Sequence, residues 1–296
     1  MSLIPLDTEG EWNRPLLNNA AAMSKADCIF AGSGFGGPQA PGVRSLDEAL
    51  SGFQHVIACE AVRDSENVYE FPSPRGKTAL IVGNEEKGIS RSVLKKADNI
   101  VSIPMVGADM SSVNVAVSAA IALYVFSKDL GRKKRGRSNL AQRSVDVLIN
   151  APDDPHELGS LLRSMWAFGW RRVFISDSRR VWFTKDHNVI LEGRAAARRA
   201  KNPLTVLPAS QMDPDAYDCV ILCDGLREGI PLSRFRMPSC RRLLLIYGSG
   251  YETVLRLAVT DRIFVDQTNA GLEPRFRHAG SILLSMVSEM TVKQVK

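Results

Sequence analysis

Long apolar runs are missing from this sequence. The longest, Val113 to Phe126, has 14 residues and is interrupted by Asn114 and Ser118. That is short of the roughly 20 needed to cross a bilayer, so no membrane span is expected. Cysteine is scarce: five residues, an odd number without a framework spacing, suit a reducing compartment and exclude a disulfide scaffold. His55, His156, His187 and His278 show no spacing with cysteines or acids that suggests zinc, and no metal is expected. The opening MSLIPLDTEGEW lacks the basic region, apolar block and small-residue cleavage site of a secretory signal. A cytoplasmic location is the resulting expectation.

What is present is a hydrophobic fraction of 45% over 296 residues, enough for a substantial core and, by length, for two domains. The net charge of +6 points toward a polyanionic partner. Its distribution sharpens this: Arg132, Lys133, Lys134, Arg135 and Arg137 cluster in GRKKRGRS, and arginine pairs recur at 171/172, 179/180, 198/199 and 241/242. Such pairs suit phosphate contacts. The GRKKRGRS run reads equally as a solvated linker or an RNA-binding segment, and it sets the expected organisation: a domain over 1–130, a basic linker over 131–144, a second domain over 145–296.

The halves resemble each other. Ser2–Gly32 lies over Val147–Asp177 without a gap, at an offset of 145. FQHVIACE from Phe53 matches YDCVILCD from Tyr217, LIVG ending at Gly83 matches LIYG ending at Gly248, and the apolar helix around Ile121 matches that around Ile282. Four matches in one order indicate an internal duplication, with the extra residues of the second copy within 178–216. Strands expected at 27–32, 54–60, 78–83 and 100–103 alternate with helices at 45–51, 90–97 and 112–128, the pattern of an α/β parallel sheet.

Two glycine motifs fail as phosphate cradles. Gly32-Ser-Gly34-Phe-Gly36-Gly37 is followed by Pro38 and Pro41, so no helix begins where a dinucleotide would need its N–H groups. In GNEEKGIS, Lys87 precedes Gly88 where a P-loop has Ser or Thr, and Glu85 and Glu86 would repel a triphosphate. What remains are two strand-to-helix loops at the carboxyl edge of a parallel sheet, where ligands bind: GNEEKGIS and IPMVGADMSSVN. Cys59 and Cys223 sit in apolar strands and read as core.

These loops resemble the second and third motifs of the SpoU (TrmH-like) RNA 2′-O-ribose methyltransferases of the SPOUT superfamily. GNE-x-x-G-[IL]-S is matched by Gly83, Asn84, Glu85, Gly88, Ile89 and Ser90. IPM-x-G followed by S-L-N-V-[SA]-x-A is matched by Ile103, Pro104, Met105, Gly107, Ser112, Asn114, Val115, Ala116 and Val117, with Val113 for the usual Leu and a loop one residue longer. The resemblance implies two tandem SPOUT-like parallel-sheet domains, a trefoil knot in the first that the second can retain, and RNA as substrate. It implies S-adenosylmethionine as cofactor, held by loops carrying Gly83, Asn84, Gly88, Ile103, Pro104, Met105, Ser112 and Val113.

The family's first motif, P-x-N-x-G-[AS]-x-x-R-[TS] ending in A-F-G, is matched only in the second half, by Pro155, Gly159, Ser160, Arg163, Ser164, Ala167, Phe168 and Gly169, with Glu157 in place of Asn. In the gapless alignment the first half has Asn18 where the arginine belongs, so it has lost this motif. The second half lacks GNE, IPM and SLN and should not bind the cofactor. Members of the family are normally homodimers, so the fused chain is expected to act as its own dimer, a monomer in solution, with a homodimer whose halves pair between chains as the alternative. One composite site is expected, with Arg163, Glu85 and Asn114 as its catalytic residues. The competing expectation is a non-catalytic RNA-binding or ribosome-assembly protein of the same fold.

Overall fold

A computed structural model describes residues 1–8, 13–32, 43–105, 112–131, 144–177, 204–248 and 257–291. The basic linker, most of the first glycine loop and the arginine pairs at 179/180 and 198/199 lie outside the described residues. The chain is α/β throughout and divides into two compact units. One gathers Met1–Pro104, Asn114–Lys133 and Gln267–His278; the other gathers Met105–Val113, Lys134–Asp266 and Ala279–Lys296.

The first half runs β1 (Ser2–Pro5), α1 (Asn13–Met23), β2 (Asp27–Cys28), β3 (Ala31–Gly32), β4 (Arg44–Ser45), α2 (Leu46–Leu50), β5 (His55–Cys59), β6 (Glu66–Asn67), β7 (Thr78–Val82), α3 (Arg91–Leu94), β8 (Asn99–Ser102) and α4 (Val115–Ser127). Its six-stranded sheet has the order β2-β1-β7-β5-β8-β6, with every pairing parallel. Central β7, TALIV, is buried along its whole length, as expected of a strand covered on both faces. The strand expected over 27–32 is interrupted after Cys28: Ala31 bridges Leu6, just past β1, and on its other side opens a two-stranded pairing with Arg44. Helix α4 is apolar on nearly every face and buried from Ala116 to Phe126 except at Ser118, the behaviour of a helix enclosed by protein.

The second half runs β9 (Ser144–Asn150), α5 (Pro155–Ala167), β10 (Arg172–Ser176), β11 (Thr205–Pro208), β12 (Cys219–Cys223), β13 (Ile230–Pro231), β14 (Arg242–Tyr247), β15 (Asp261–Phe264) and α6 (Phe276–Thr291). Its parallel sheet is ordered β11-β10-β9-β14-β12-β15-β13. Removing edge strand β11 leaves the order of the first sheet, strand for strand. Registers agree as well: β5 pairs His55 with Thr78 where β12 pairs Cys219 with Leu243. The added strand falls in the stretch where extra residues were expected.

The frame of the first helix differs from the gapless alignment by one residue. Both first helices end in a left-handed residue, Lys25 (φ 55°) and Gly169 (φ 81°). The next amide closes the helix in both, Ala26 N–H donating to the Ala21 carbonyl and Trp170 N–H to the Met165 carbonyl. Since 170 − 26 = 144, the offset over this helix is 144 and not 145. A sequence alignment without gaps could not detect the single residue added after Trp170. The position of Arg163 therefore corresponds to Asn19, correcting Asn18, and that of Glu157 corresponds to Asn13.

Asn19 organises a polar cluster in the first unit around one buried histidine. Its Oδ1 accepts from the Arg275 amide at 3.2 Å and lies 3.0 Å from Nδ1 of His278, while its Nδ2 donates to the Glu273 carbonyl at 3.4 Å. His278 has no exposed surface and its Nε2 has no hydrogen-bond partner among the described residues. Burial, reinforced by the neighbouring Arg277 and Arg275 cations, pushes its pKa down to about 3. The unfolded chain then binds the proton more readily than the folded one below the ordinary value of 6.5. Stability from this group is fully present above that value and is lost as pH falls toward 3, amounting to about 2 kcal/mol between pH 6.5 and pH 5. Urea unfolding of wild type and His278→Gln at pH 7 and pH 5 should show the variant losing less over this interval; equal losses would mean that His278 is already charged in the fold.

Candidate active site

The loop after β7 closes on itself. Asn84 and Gly88 exchange both backbone hydrogen bonds, at 3.1 and 2.9 Å. The Asn84 side chain fills the turn, its Oδ1 accepting from the Glu86 and Lys87 amides at 2.8 and 3.1 Å and its Nδ2 donating to the Asp7 carbonyl at 2.7 Å. Gly88 takes a left-handed φ of 63°. Gly83 is required for a different reason: a Cβ there would lie 2.4 Å from the Gly88 carbonyl carbon. Both glycines belong to a main-chain ring that no larger residue would allow to close.

Glu60, one residue past β5, holds this ring. Its Oε2 accepts from the Ile89 amide at 2.7 Å and its Oε1 from the Ala61 amide at 3.1 Å. The paired stretches HVIACE and CVILCD both end in an acid, a signal for Glu60 that was present in the sequence and not read. The second copy uses its acid otherwise. Asp224 is buried, takes Nη1 of Arg262 at 3.0 Å and caps its own turn through the Leu226 amide. Tyr247 occupies the position of Val82, and only a glycine opposite admits its ring: a Cβ on Gly280 would lie 2.6 Å from Tyr247 Cε1.

Glu85 and Asn114, expected to act together, are joined in the first unit through a residue that was overlooked. Asn13 Nδ2 donates to Glu85 Oε1 at 2.5 Å, and Asn114 Nδ2 donates to Asn13 Oδ1 at 3.2 Å. Asn114 Oδ1 meanwhile caps α4 by accepting from the Ala116 amide at 2.9 Å. In the corrected frame Asn13 stands where the first motif has its Asn, while Pro15, Leu16 and Asn19 stand where it has Gly, a small residue and Arg, so the first half keeps the Asn and has lost the rest. Shifting the alignment by one residue would have revealed it.

Arg163 and Ser112 meet in the second unit. Asp154 caps α5 through the His156 amide, with Pro155 in the first turn. Two turns on, Arg163 donates from Nε to the Ser112 carbonyl at 3.0 Å and from Nη2 to Ser112 Oγ at 2.8 Å. Met105 is half-buried and Val113 buried in that unit; Ile103 is buried and Pro104 half-buried in the first. Burial drives the Cys59 and Cys223 thiols up to about 12, which removes them as nucleophiles at neutral pH. Among the described residues no group of acids, histidines and cysteines is arranged to hold a metal, and no helix is long and apolar enough to cross a membrane.

Residues 29–124 match the model of the SpoU rRNA Methylase family. A tRNA (guanosine(18)-2′-O)-methyltransferase of Aquifex aeolicus is 32% identical over 112 residues, 37% of this chain and 51% of that protein. An uncharacterized tRNA/rRNA methyltransferase of Archaeoglobus fulgidus is 44% identical over 50 residues, 17% of this chain and 22% of that protein. The chain thus spans about half the length of the first and about a fifth of the second. The solved SpoU methyltransferase AviRb from Streptomyces viridochromogenes superposes with a TM-score of 0.36 at 23% identity, over 43% of this chain and 58% of that one.

Hydrogen bonds to a charged acceptor contribute about 1.5–3 kcal/mol each. Glu60→Ala should therefore release the Ile89 amide, raising its hydrogen-exchange rate about tenfold or more, whereas Glu60→Gln, which keeps one acceptor oxygen, should lie between. An unchanged Ile89 rate in Glu60→Ala would show that the ring stands without its carboxylate.

Proposed function

We propose that this chain is an RNA 2′-O-ribose methyltransferase using S-adenosylmethionine, with one composite site built from a duplicated, fused pair of SPOUT domains. The observation that carries this reading is the double donation from Arg163 to Ser112. It links the arginine of the first motif, on the second copy, to a residue of the third motif, on the first. Duplication is supported by the recurring strand order. RNA as substrate is supported by the family match and by relatives named as tRNA and rRNA methyltransferases.

The loop chemistry fits the cofactor. A ring of backbone amides and carbonyls around Gly83, Asn84 and Gly88, with apolar Ile103 and Pro104, suits an uncharged adenine and ribose. Met105, Ser112 and Val113 complete the proposed set, and the bound cofactor supplies an activated methyl group.

The protein's part is positioning and charge stabilisation. A ribose 2′-hydroxyl is a poor nucleophile at neutral pH, so its oxygen must be held in line and the charge developing on it must be met by a cation. Arginine stays charged and is unsuited to act as a base. Arg163, braced by Ser112, binds the adjacent phosphate and the developing alkoxide, while Glu85, tied through Asn13 to Asn114, orients the ribose. The split between two copies makes the active form a single chain.

Loss of a preorganised donor to a developing anion costs about 10²–10³ in rate. Arg163→Ala should lower methyl transfer to total cellular RNA by that factor, while calorimetry shows S-adenosylmethionine affinity within threefold of wild type. Full activity in Arg163→Ala would sink the composite site. Absent cofactor binding by the wild type would sink the enzyme and leave the non-catalytic RNA-binding alternative.

A further inference from the structure

The amino edge of the second sheet carries a feature that the first sheet lacks. Arg171 and Arg172 stand at the start of β10, Arg241 and Arg242 at the start of β14, and these strands flank β9. With neighbouring strands about 4.8 Å apart, the two arginine pairs are about 10 Å apart across the edge. Their main chain is pinned. The Arg171 carbonyl accepts from the Thr205 amide at 2.8 Å and the Arg241 carbonyl from the Ser144 amide at 2.9 Å. The Asp218 carboxylate accepts from the Arg241 and Arg242 amides at 2.9 and 2.8 Å.

Behind the edge lies a buried polar support. Asp146 on β9 is 3% exposed and takes both Nε and Nη2 of Arg172, at 2.9 and 2.5 Å, together with the Tyr217 hydroxyl at 2.8 Å. The Tyr217 ring in turn carries the Arg242 guanidinium, 5.7 Å from its centroid. Acids are present on this edge: Asp213 and Asp215 precede Tyr217, and Asp261 opens β15. Asp146 and Asp218, however, are committed to Arg172, Tyr217 and the backbone. Arg171 and Arg241 are exposed and have no ion-pair partner among the described residues.

The first sheet has Asp27, Gly76 and Lys77 where the second has Arg172, Arg241 and Arg242, and Ser2 where it has Asp146. A buried carboxylate paired with a guanidinium that is 39% exposed is a poor way to stabilise a core, since desolvation of the carboxylate and solvent screening of the cation offset most of the attraction. What it does well is fix the direction of the groups it holds. We propose that this edge is a docking surface for the phosphate backbone of RNA, the copy without cofactor motifs serving as the substrate handle. Arginine forks match phosphate oxygens, and such contacts set position without reading sequence. RNA as the polyanion rests on the methyltransferase reading above.

The test measures anisotropy of a fluorescent 20-nucleotide single-stranded RNA with the full chain between 50 and 200 mM salt, without cofactor. Each lost phosphate contact to a single strand lowers the log–log salt slope by about 0.7. Arg171→Ser with Arg241→Ser should weaken binding at least tenfold and reduce the slope by about 1.4, and Arg171→Glu with Arg241→Glu should weaken it further. The control pair Lys25→Ser with Lys77→Ser, on the first sheet's amino edge, should bind as wild type. Unchanged affinity and slope in both arginine double variants, or equal loss in the control, overturns the proposal. Wild-type binding that depends on these arginines without any methyl transfer would overturn the enzymatic reading alone. Methyl transfer that survives with arginine-independent binding would overturn the docking surface alone.

Discussion

A carboxylate at the end of β5 decides what the loop after β7 can be. Glu60 offers fixed negative charge to the Ile89 amide, and the ring from Gly83 to Gly88 closes above it. Every other element of the first site is arranged around that closure. Asn84 ties the ring to Asp7, and Glu85 leaves it to meet Asn13. Where the same position is an aspartate answered by Arg262, one methylene shorter and already neutralised, no such ring sequence is present in the loop that follows.

The two halves keep the same strand order and differ in the polar residues that they carry on it. Asn13 and Asn19 occupy the positions of Glu157 and Arg163, so each first helix retains one half of the motif's polar pair. Asn19 serves structure, bonded to Glu273, Arg275 and the buried His278 in the polar cluster of the first unit. Arg163 keeps a guanidinium head directed at Ser112. The contrast at the amino edge runs the other way, with the arginine network found only in the second copy.

Much of the fold was legible because it rests on periodicity. TALIV and LLLIY are runs whose neighbours on both faces must be apolar, and the alternation of such runs with helical stretches could only mean a parallel sheet. The loops were legible because their glycines are irreplaceable: a ring that touches itself at 2.4 Å admits no side chain. What could not be read was the frame of α1, since one residue inserted in a turn leaves no trace in the apolar pattern before it. That single slip concealed Asn13 and misplaced the counterpart of Arg163. Glu60 escaped for another reason. A lone acid after a strand has no periodicity, and its role is defined only by an amide 29 residues away.

Tyr247 and Gly280 form a pair whose members can change only together. The first copy has Val82 and Ala119 at these positions, medium opposite small; the second has large opposite none. Restoring a side chain at 280 with the tyrosine in place means a clash, and shrinking the tyrosine with the glycine in place means a void. Each single step back is penalised, so the exchange works as a ratchet in sequence space.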